Sequence, residues 1–335
     1  MRERAQALAR WEGLLAGLLV LTLFLGFMLV QGFWSGDNFS LATAEIMEVG
    51  IMALAVTLIV ITGEIDISIA SVLGLSSAIL GKLFQAGFPL GGAIVVVLVV
   101  GVAAGLLNGL LVTKLGLPSL VVTLGTLALY RGLCYIVLGD QQVSNWPSTF
   151  TDFGFGTVAG TIVPWPLVLF AGLAIALGVV LHRSWVGRAI YAIGNNEGAA
   201  RFSGIRVDRV KLGLFVLSGL LAALAGVVYT ARLSSASPDN GVGLELEVVA
   251  AVLLGGVSIF GGRGTLGGVV LALLLIGAVT NMLGLQDVSG DVQNIVIGGL
   301  LIASVLATNL FRRAREAGSR RRAGRQPAEE TGATS

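Results

Sequence analysis

The residues of this chain best equipped for chemistry sit in apolar surroundings. Thr62-Gly63-Glu64-Ile65-Asp66-Ile67-Ser68 places two carboxylates two residues apart, between two long apolar runs. A carboxylate at the centre of a membrane span costs about 2.5–3.5 kcal/mol on insertion scales. Such groups usually face a bundle interior or a water-filled path. Gly63 breaks the preceding helix, and Asp66 or Ser68 can cap the next. Two readings stand, a structural turn closed by an N-cap or a direct contact with a ligand. Paired carboxylates also serve as an acid and a base in glycoside hydrolysis, but no supporting polar cleft is visible in the sequence.

A second group surrounds Gly105-Leu106-Leu107-Asn108-Gly109 and continues to Tyr130-Arg131-Gly132. Asn108 inside an apolar helix must find a hydrogen-bond partner. Pro118 suits a helix start, where its missing N–H costs nothing. Arg131 is the only basic residue deep in an apolar segment. It calls for a structural ion pair, for a side chain that reaches up to the surface, or for a place along a path through the bundle. Gly101, Gly105 and Gly109 form an i, i+4, i+8 row on one helix face, the pattern of close helix packing.

Other chemistries are excluded or weak. The single cysteine, Cys134, rules out an intrachain disulfide framework and a cysteine-based zinc site. The single histidine, His182, falls at an expected helix end beside Arg183 and reads as a surface residue. No catalytic constellation, metal site or cofactor site is expected. Gly255-Gly256-Val257-Ser258 and Gly261-Gly262-Arg263-Gly264-Thr265 lack the phosphate-cradling pattern GxxxxGK[ST] and read as a tight turn. Glu45 and Glu247 each precede an apolar run that ends in a glycine-rich turn, which hints at an internal repeat.

These residues need a scaffold, and the composition specifies one. Of 335 residues 55% are apolar and 12% charged, with net charge +2, and the mean hydropathy is +0.91. Soluble domains carry roughly 25% charged residues. Repeated apolar runs near the length of a membrane helix predict an all-α, polytopic bundle of about ten spans. We place them at 13–34, 43–62, 67–85, 89–113, 119–138, 164–182, 212–231, 246–261, 265–284 and 292–311. With the N-terminus inside, 18 of the 21 Lys and Arg residues fall on the inner side, so both termini are expected in the cytoplasm. Residues 1–11 read as a basic cytoplasmic tail, 12–311 as the membrane domain and 312–335 as a disordered basic tail. No broad basic face for nucleic acid is present.

One substantial polar interruption remains, 183–211, with six basic and two acidic residues. It is expected on the cytoplasmic side. Asn196 is a candidate N-cap, Glu197 suits a first helical turn and Gly204 suits the stop. A helix this short is not stable alone, and Ala199, Ala200, Phe202 and Ile205 give it a small apolar surface. It either rests on its own bundle or is held out for a cytosolic protein.

Taken together the motifs resemble the permease family of ribose-type carbohydrate ABC importers. The similarity runs through GEIDIS at 63–68, GLLNGLLVTKLGLPSLVVTLGT at 105–126, YRG at 130–132, GRAIYAIGNNEGAARFSGI at 187–205 and LLGGVSIFGGRGTLGG at 253–268. It implies a subunit of the bacterial cytoplasmic (inner) membrane, paired with a second permease of the same or a related chain. It also implies cytosolic ATPase subunits that bind the ATP, and a periplasmic or lipid-anchored binding protein that delivers the sugar. The contact with the ATPase would lie at Asn196, Glu197, Gly198, Ala199, Ala200, Arg201, Phe202, Ser203 and Gly204. Glu64, Asp66, Asn108 and Arg131 would be candidates for the translocation path or gate. ATP binding would close the ATPase pair, move the docked helix and switch the side on which the bundle opens. Glu64 departs from the Gly carried by many family members, and this variant is similar to the branch handling rhamnose or autoinducer-2. The rival expectation is an ion-coupled secondary transporter, which also uses broken helices and intramembrane carboxylates.

Overall fold

The computed structural model describes residues 2–300 together with 302 and 306. Among these the chain is helical, with two isolated bridges, Val143 with Ala236 and Thr157 with Pro164, and no β-strand. The helices are α1 (Arg2–Leu29), α2 (Gly36–Glu45), α3 (Met47–Ile61), α4 (Ile69–Gln85), α5 (Leu90–Thr113), α6 (Ser119–Leu138) and α7 (Ser148–Phe155). They continue with α8 (Trp165–Arg183), α9 (Trp185–Asn195), α10 (Glu197–Phe202), α11 (Val207–Leu233), α12 (Leu244–Leu254) and α13 (Leu266–Gly284). Residues 290–300 are helical as well.

Seven segments are long and apolar enough to cross a membrane: α1 from Trp11, α2 with α3 as one rod, α5, α6, α8, α11 and α13. The bundle is therefore polytopic and all-helical. α4 has 17 residues, about 25 Å of rise. Residues 2–11 of the expected tail are helical and run unbroken into the first span. The expected tail at 312–335 lies outside the described residues, as does most of the last expected span after residue 300.

α3 is the axis of the bundle. Every residue from Met47 to Ile61 is buried, and the helix packs on α8, α11, α12 and α13. Its sequence is apolar almost all round, as a helix with no exposed face must be. The glycine row of α5 meets α11 at a close backbone crossing. A Cβ on Gly105 would lie 2.2 Å from the Phe215 carbonyl oxygen, and one on Gly219 2.1 Å from that of Gly101. Only residues without a side chain let the two backbones come this close.

One expected span is different. Residues 246–261 were assigned to a single helix, but α12 covers 11 residues, about 16 Å. Gly255 and Gly256 end it, the latter at φ +84. The helix starts at Leu244, after 234–243, a non-helical stretch with Gly241 and Gly243 at φ +80 and +90. Ser235, Ala236, Pro238, Asn240 and Gly241 of this stretch are buried while Asp239 and Val242 are exposed, and Ala236 exchanges backbone hydrogen bonds with Val143 at 2.9 Å.

Candidate functional site

The polar segment 183–211 folds into two short helices. Ser184 accepts a hydrogen bond from Gly187 N at 3.3 Å and so caps α9. α9 is amphipathic, with Gly187, Ala189, Ile190 and Ile193 buried. The sequence reading did not include this helix, although its apolar spacing was a usable signal. α10 then follows as expected. Asn196 Oδ1 accepts from Ala199 N at 2.9 Å, Glu197 opens the helix and Gly204 closes it at φ +82. Ile205 N donates to Ala200 O at 3.1 Å, and Gly204 N to Arg201 O at 3.0 Å, the paired bonds of a glycine C-terminal cap.

α10 shows two faces. Ala200 is buried and holds the helix to the protein, whereas Asn196, Gly198, Ala199, Arg201, Ser203 and Gly204 are exposed. Phe202 is 96% exposed. Of the two expectations for the apolar surface of α10, Phe202 fits the one that holds it out from the bundle. Aromatic residues are enriched among interface hot spots, which makes Phe202 a candidate contact.

A chain of alternating charges ties α10 inward. Arg201 Nη2 lies 2.9 Å from Glu197 Oε1 and 2.5 Å from Asp208 Oδ1. Glu197 Oε2 lies 2.7 Å from Lys211 Nζ, and Lys211 Nζ lies 2.5 Å from Glu64 Oε1. The Lys211 and Arg201 cations hold the Glu197 carboxyl below the usual carboxylate range, against the opposing effect of its partial burial. Thus Glu64 does not face the interior with Asp66; it faces the short helix.

Beneath the charges lies a junction made of backbone. Gly262 N donates to Ile61 O at 2.8 Å. A Cβ on Gly194 would meet that same Ile61 oxygen at 1.8 Å and Gly262 N at 2.4 Å. The ends of α3 and α9 and the turn before α13 therefore touch with no side chain between them. Tyr191 closes the joint by donating its hydroxyl to Gly264 O at 2.7 Å.

Asp66 forms the centre of a separate, buried polar knot. Its Oδ1 accepts from Ser68 N at 3.0 Å and Ser68 Oγ at 2.7 Å, and its Oδ2 accepts from Ser218 Oγ at 2.7 Å. Asn108 Nδ2 donates to Ser68 Oγ at 2.8 Å, and Tyr130 donates to Ala104 O at 3.0 Å beside it. Asp66 thus fixes the turn before α4, whose N-cap residue Ser68 makes no side-chain cap hydrogen bond, and the knot joins α4, α5 and α11. Ser218 escaped the sequence reading, although, like Asn108, it is a polar residue in an apolar helix.

Arg131 stands apart, and its expected ion pair is replaced by carbonyls. Its Nη1 donates to Pro238 O at 3.1 Å and Asn240 O at 2.9 Å. Gly74 leaves room for it, since a Cβ there would lie 2.9 Å from Nη1. The buried ion pair is a different one, Arg232 Nε with Glu48 Oε1 at 2.8 Å. Glu48 is 1% exposed. No local pattern announces it, because its partner lies 184 residues away.

A polytopic helical bundle with a buried polar knot and a short, charged helix has the architecture of a membrane transport subunit. The chain belongs to the family described as branched-chain amino acid transport system / permease component, which matches residues 38–305. It is 34% identical over 306 residues to the autoinducer 2 import system permease protein LsrD of Yersinia enterocolitica, covering 90% of this chain and 92% of that one. The protein of the same name from Photorhabdus luminescens is 34% identical over 90% of this chain and 91% of its own length. No solved structure matches the chain. The protein is therefore the permease component of an ABC importer, a multi-pass subunit of the inner membrane. It catalyses no reaction itself, and ATP is hydrolysed by separate subunits.

Proposed function

We propose that this permease imports autoinducer-2 or a closely related small sugar, and that α10 is its contact with the ATPase. The relatives' names support the solute class. The observation that carries the contact is the 96% exposure of Phe202 on a helix capped at both ends. Asn196 to Gly204 would sit in a groove of the ATPase, with Phe202 as the apolar anchor. The inner-side excess of Lys and Arg puts 183–211 and both termini in the cytoplasm. Ten crossings fit the seven long segments once α4, α12 and the helix from 290 are counted with their flanking loops. A second permease chain would complete the pore, and a binding protein would dock on the opposite face. Asp66 and Asn108 are the candidates for the gate, because their knot joins three of the helices that must rearrange. ATP is held by the partner subunits, and this chain needs no cofactor of its own.

The test replaces Gly198 to Phe202 with a flexible linker in the complete transporter in liposomes. The variant is expected to insert normally and to lose ATP-driven uptake of labelled autoinducer-2. Full uptake would refute the contact. Uptake by the permease alone down an ion gradient would refute the ABC mechanism.

A further inference from the structure

We infer that Glu64, Lys211 and Glu197 form a strut that carries movement of α10 to the 62–68 turn, which makes Glu64 a positioning residue of the transport cycle; this rests on reading α10 as the ATPase contact.

The backbone of α10 packs on α9 and α11. Its polar connection to the 62–68 turn runs through one ammonium, with Lys211 Nζ 2.7 Å from Glu197 Oε2 and 2.5 Å from Glu64 Oε1. The side chains of Lys211 and Glu64 are 9% and 16% exposed, so water competes weakly for either charge. Partial burial strengthens the attraction and raises the cost of separating the ions. If α10 shifts, Lys211 and Glu64 must follow or leave a poorly solvated charge behind.

Fastening α11 to the turn would need Glu64 and Lys211 alone. The second carboxylate comes from the first residue of α10, and it brings that helix into the linkage. Arg201 then holds the other oxygen of Glu197 at 2.9 Å, so the carboxylate cannot swing freely.

The far end of the strut is well placed to pass movement on. Next to Glu64, Ile65 N donates to Ser119 Oγ at 3.0 Å at the start of α6, and Thr123 donates to Ile65 O at 3.3 Å. One residue further, Asp66 reaches Ser218 of α11, while Ser68 bonds Asn108 of α5. A displacement of Glu64 therefore acts within four residues on α4, α5, α6 and α11. The backbone junction at Gly194 and Ile61 is a second link from the same segment, but it ends on α3 and the turn before α13.

The experiment uses the complete transporter in liposomes and reads autoinducer-2 moved per ATP hydrolysed. Glu64→Gln leaves Lys211 paired with Glu197, so no cation is orphaned. It is expected to keep ATP hydrolysis within about twofold of wild type while solute moved per ATP falls about tenfold. Glu64→Asp, which keeps the charge, should fall between them. A Glu64→Gln complex with a wild-type ratio overturns the strut, because a merely structural contact would lower assembly and hydrolysis together and leave the ratio alone. Should Glu64→Gln fail to assemble, Glu197→Gln breaks the strut from its exposed end, and a wild-type ratio there overturns it equally. If the wild-type complex moves no autoinducer-2, only the solute is wrong. The comparison is then read from ATP-dependent thiol labelling of Leu117→Cys, beside Glu64, in a Cys134→Ser background. Loss of the ATP dependence in Glu64→Gln supports the strut, and retention overturns it. A wild-type complex without ATP-dependent labelling refutes the α10 contact and the strut with it.

Discussion

Gly105→Ala adds one methyl group at the crossing of α5 and α11. The new carbon would lie 2.2 Å from the Phe215 carbonyl oxygen and 3.0 Å from its carbon. Ordinary van der Waals contact begins at 3.4 Å, so the helices must part by about 1.2 Å at this point. The obstacle is backbone on both sides, and no rotamer can relieve it. Forcing an extra methylene into a packed interior costs about 1–3 kcal/mol. Replacing Gly by Ala in a helix also brings a gain of about 1 kcal/mol, which must be separated from the clash. Gly125→Ala supplies the control: it lies in α6, with nothing within 4 Å of the added carbon. The helical gain is common to both variants and cancels in their difference. Purified permease in detergent, melted under identical conditions, should therefore show Gly105→Ala about 1–3 kcal/mol less stable than Gly125→Ala. At about 2 °C per kcal/mol for a chain of this size, the midpoints should differ by about 2–6 °C. Equal midpoints would refute the claim that this crossing depends on missing side chains.

Three further outcomes are expected. Arg232→Ala leaves the Glu48 carboxylate buried and unpaired, so unfolding should become easier by about 3–5 kcal/mol, with most of the loss recovered in an Arg232→Ala, Glu48→Gln double variant; no recovery would show that packing, not charge, is lost. Ser218→Ala removes one hydrogen bond from the buried Asp66 carboxylate and should cost about 1.5–3 kcal/mol in the same melt, whereas Ser218→Thr, which keeps the hydroxyl, should cost less. The Glu197 carboxyl is held below its ordinary value near 4.5, so its contribution is complete above that pH and disappears as the pH falls through the lower, folded value. The stability of the permease should accordingly be insensitive to Glu197→Gln titration effects above about pH 5 and should show a shallow acid limb that the variant lacks, shallow because the group is partly exposed and solvent screens it.

The sequence exposed the spans, the glycine crossing and α10 because each rests on a local or periodic pattern. Gly101, Gly105 and Gly109 repeat at helical spacing, and Asn196 and Gly204 bracket a helix by well-known cap preferences. The polar knot was half legible. Asp66 and Asn108 stand out against apolar neighbours, but their link through Ser68 and Ser218 depends on three helices meeting. The charge chain was less legible still: Lys211 read as one of several loop cations, and its bond to Glu64 spans 147 residues. Arg131 misled for a physical reason. A cation in an apolar helix suggests an acid partner, yet two carbonyl oxygens of an irregular segment also satisfy it, and no residue type advertises a free carbonyl. α12 misled because apolar content alone measures hydrophobicity and not where Gly255 and Gly256 end the helix.

The bond between Arg131 and the carbonyls of Pro238 and Asn240 also orders events during synthesis. The acceptors lie 107 and 109 residues downstream of the arginine. At about 5–20 residues per second, α6 waits on the order of 5–20 s in the membrane before its partners are made. Through that interval the guanidinium must be kept in water, at a lipid headgroup or inside the insertion machinery. The segment 234–243, in turn, closes most of its turns locally, but the carbonyls of Pro238 and Asn240 find their donor in α6. The order of synthesis thus leaves an early helix with an unsatisfied donor until a late, non-helical segment supplies its acceptors.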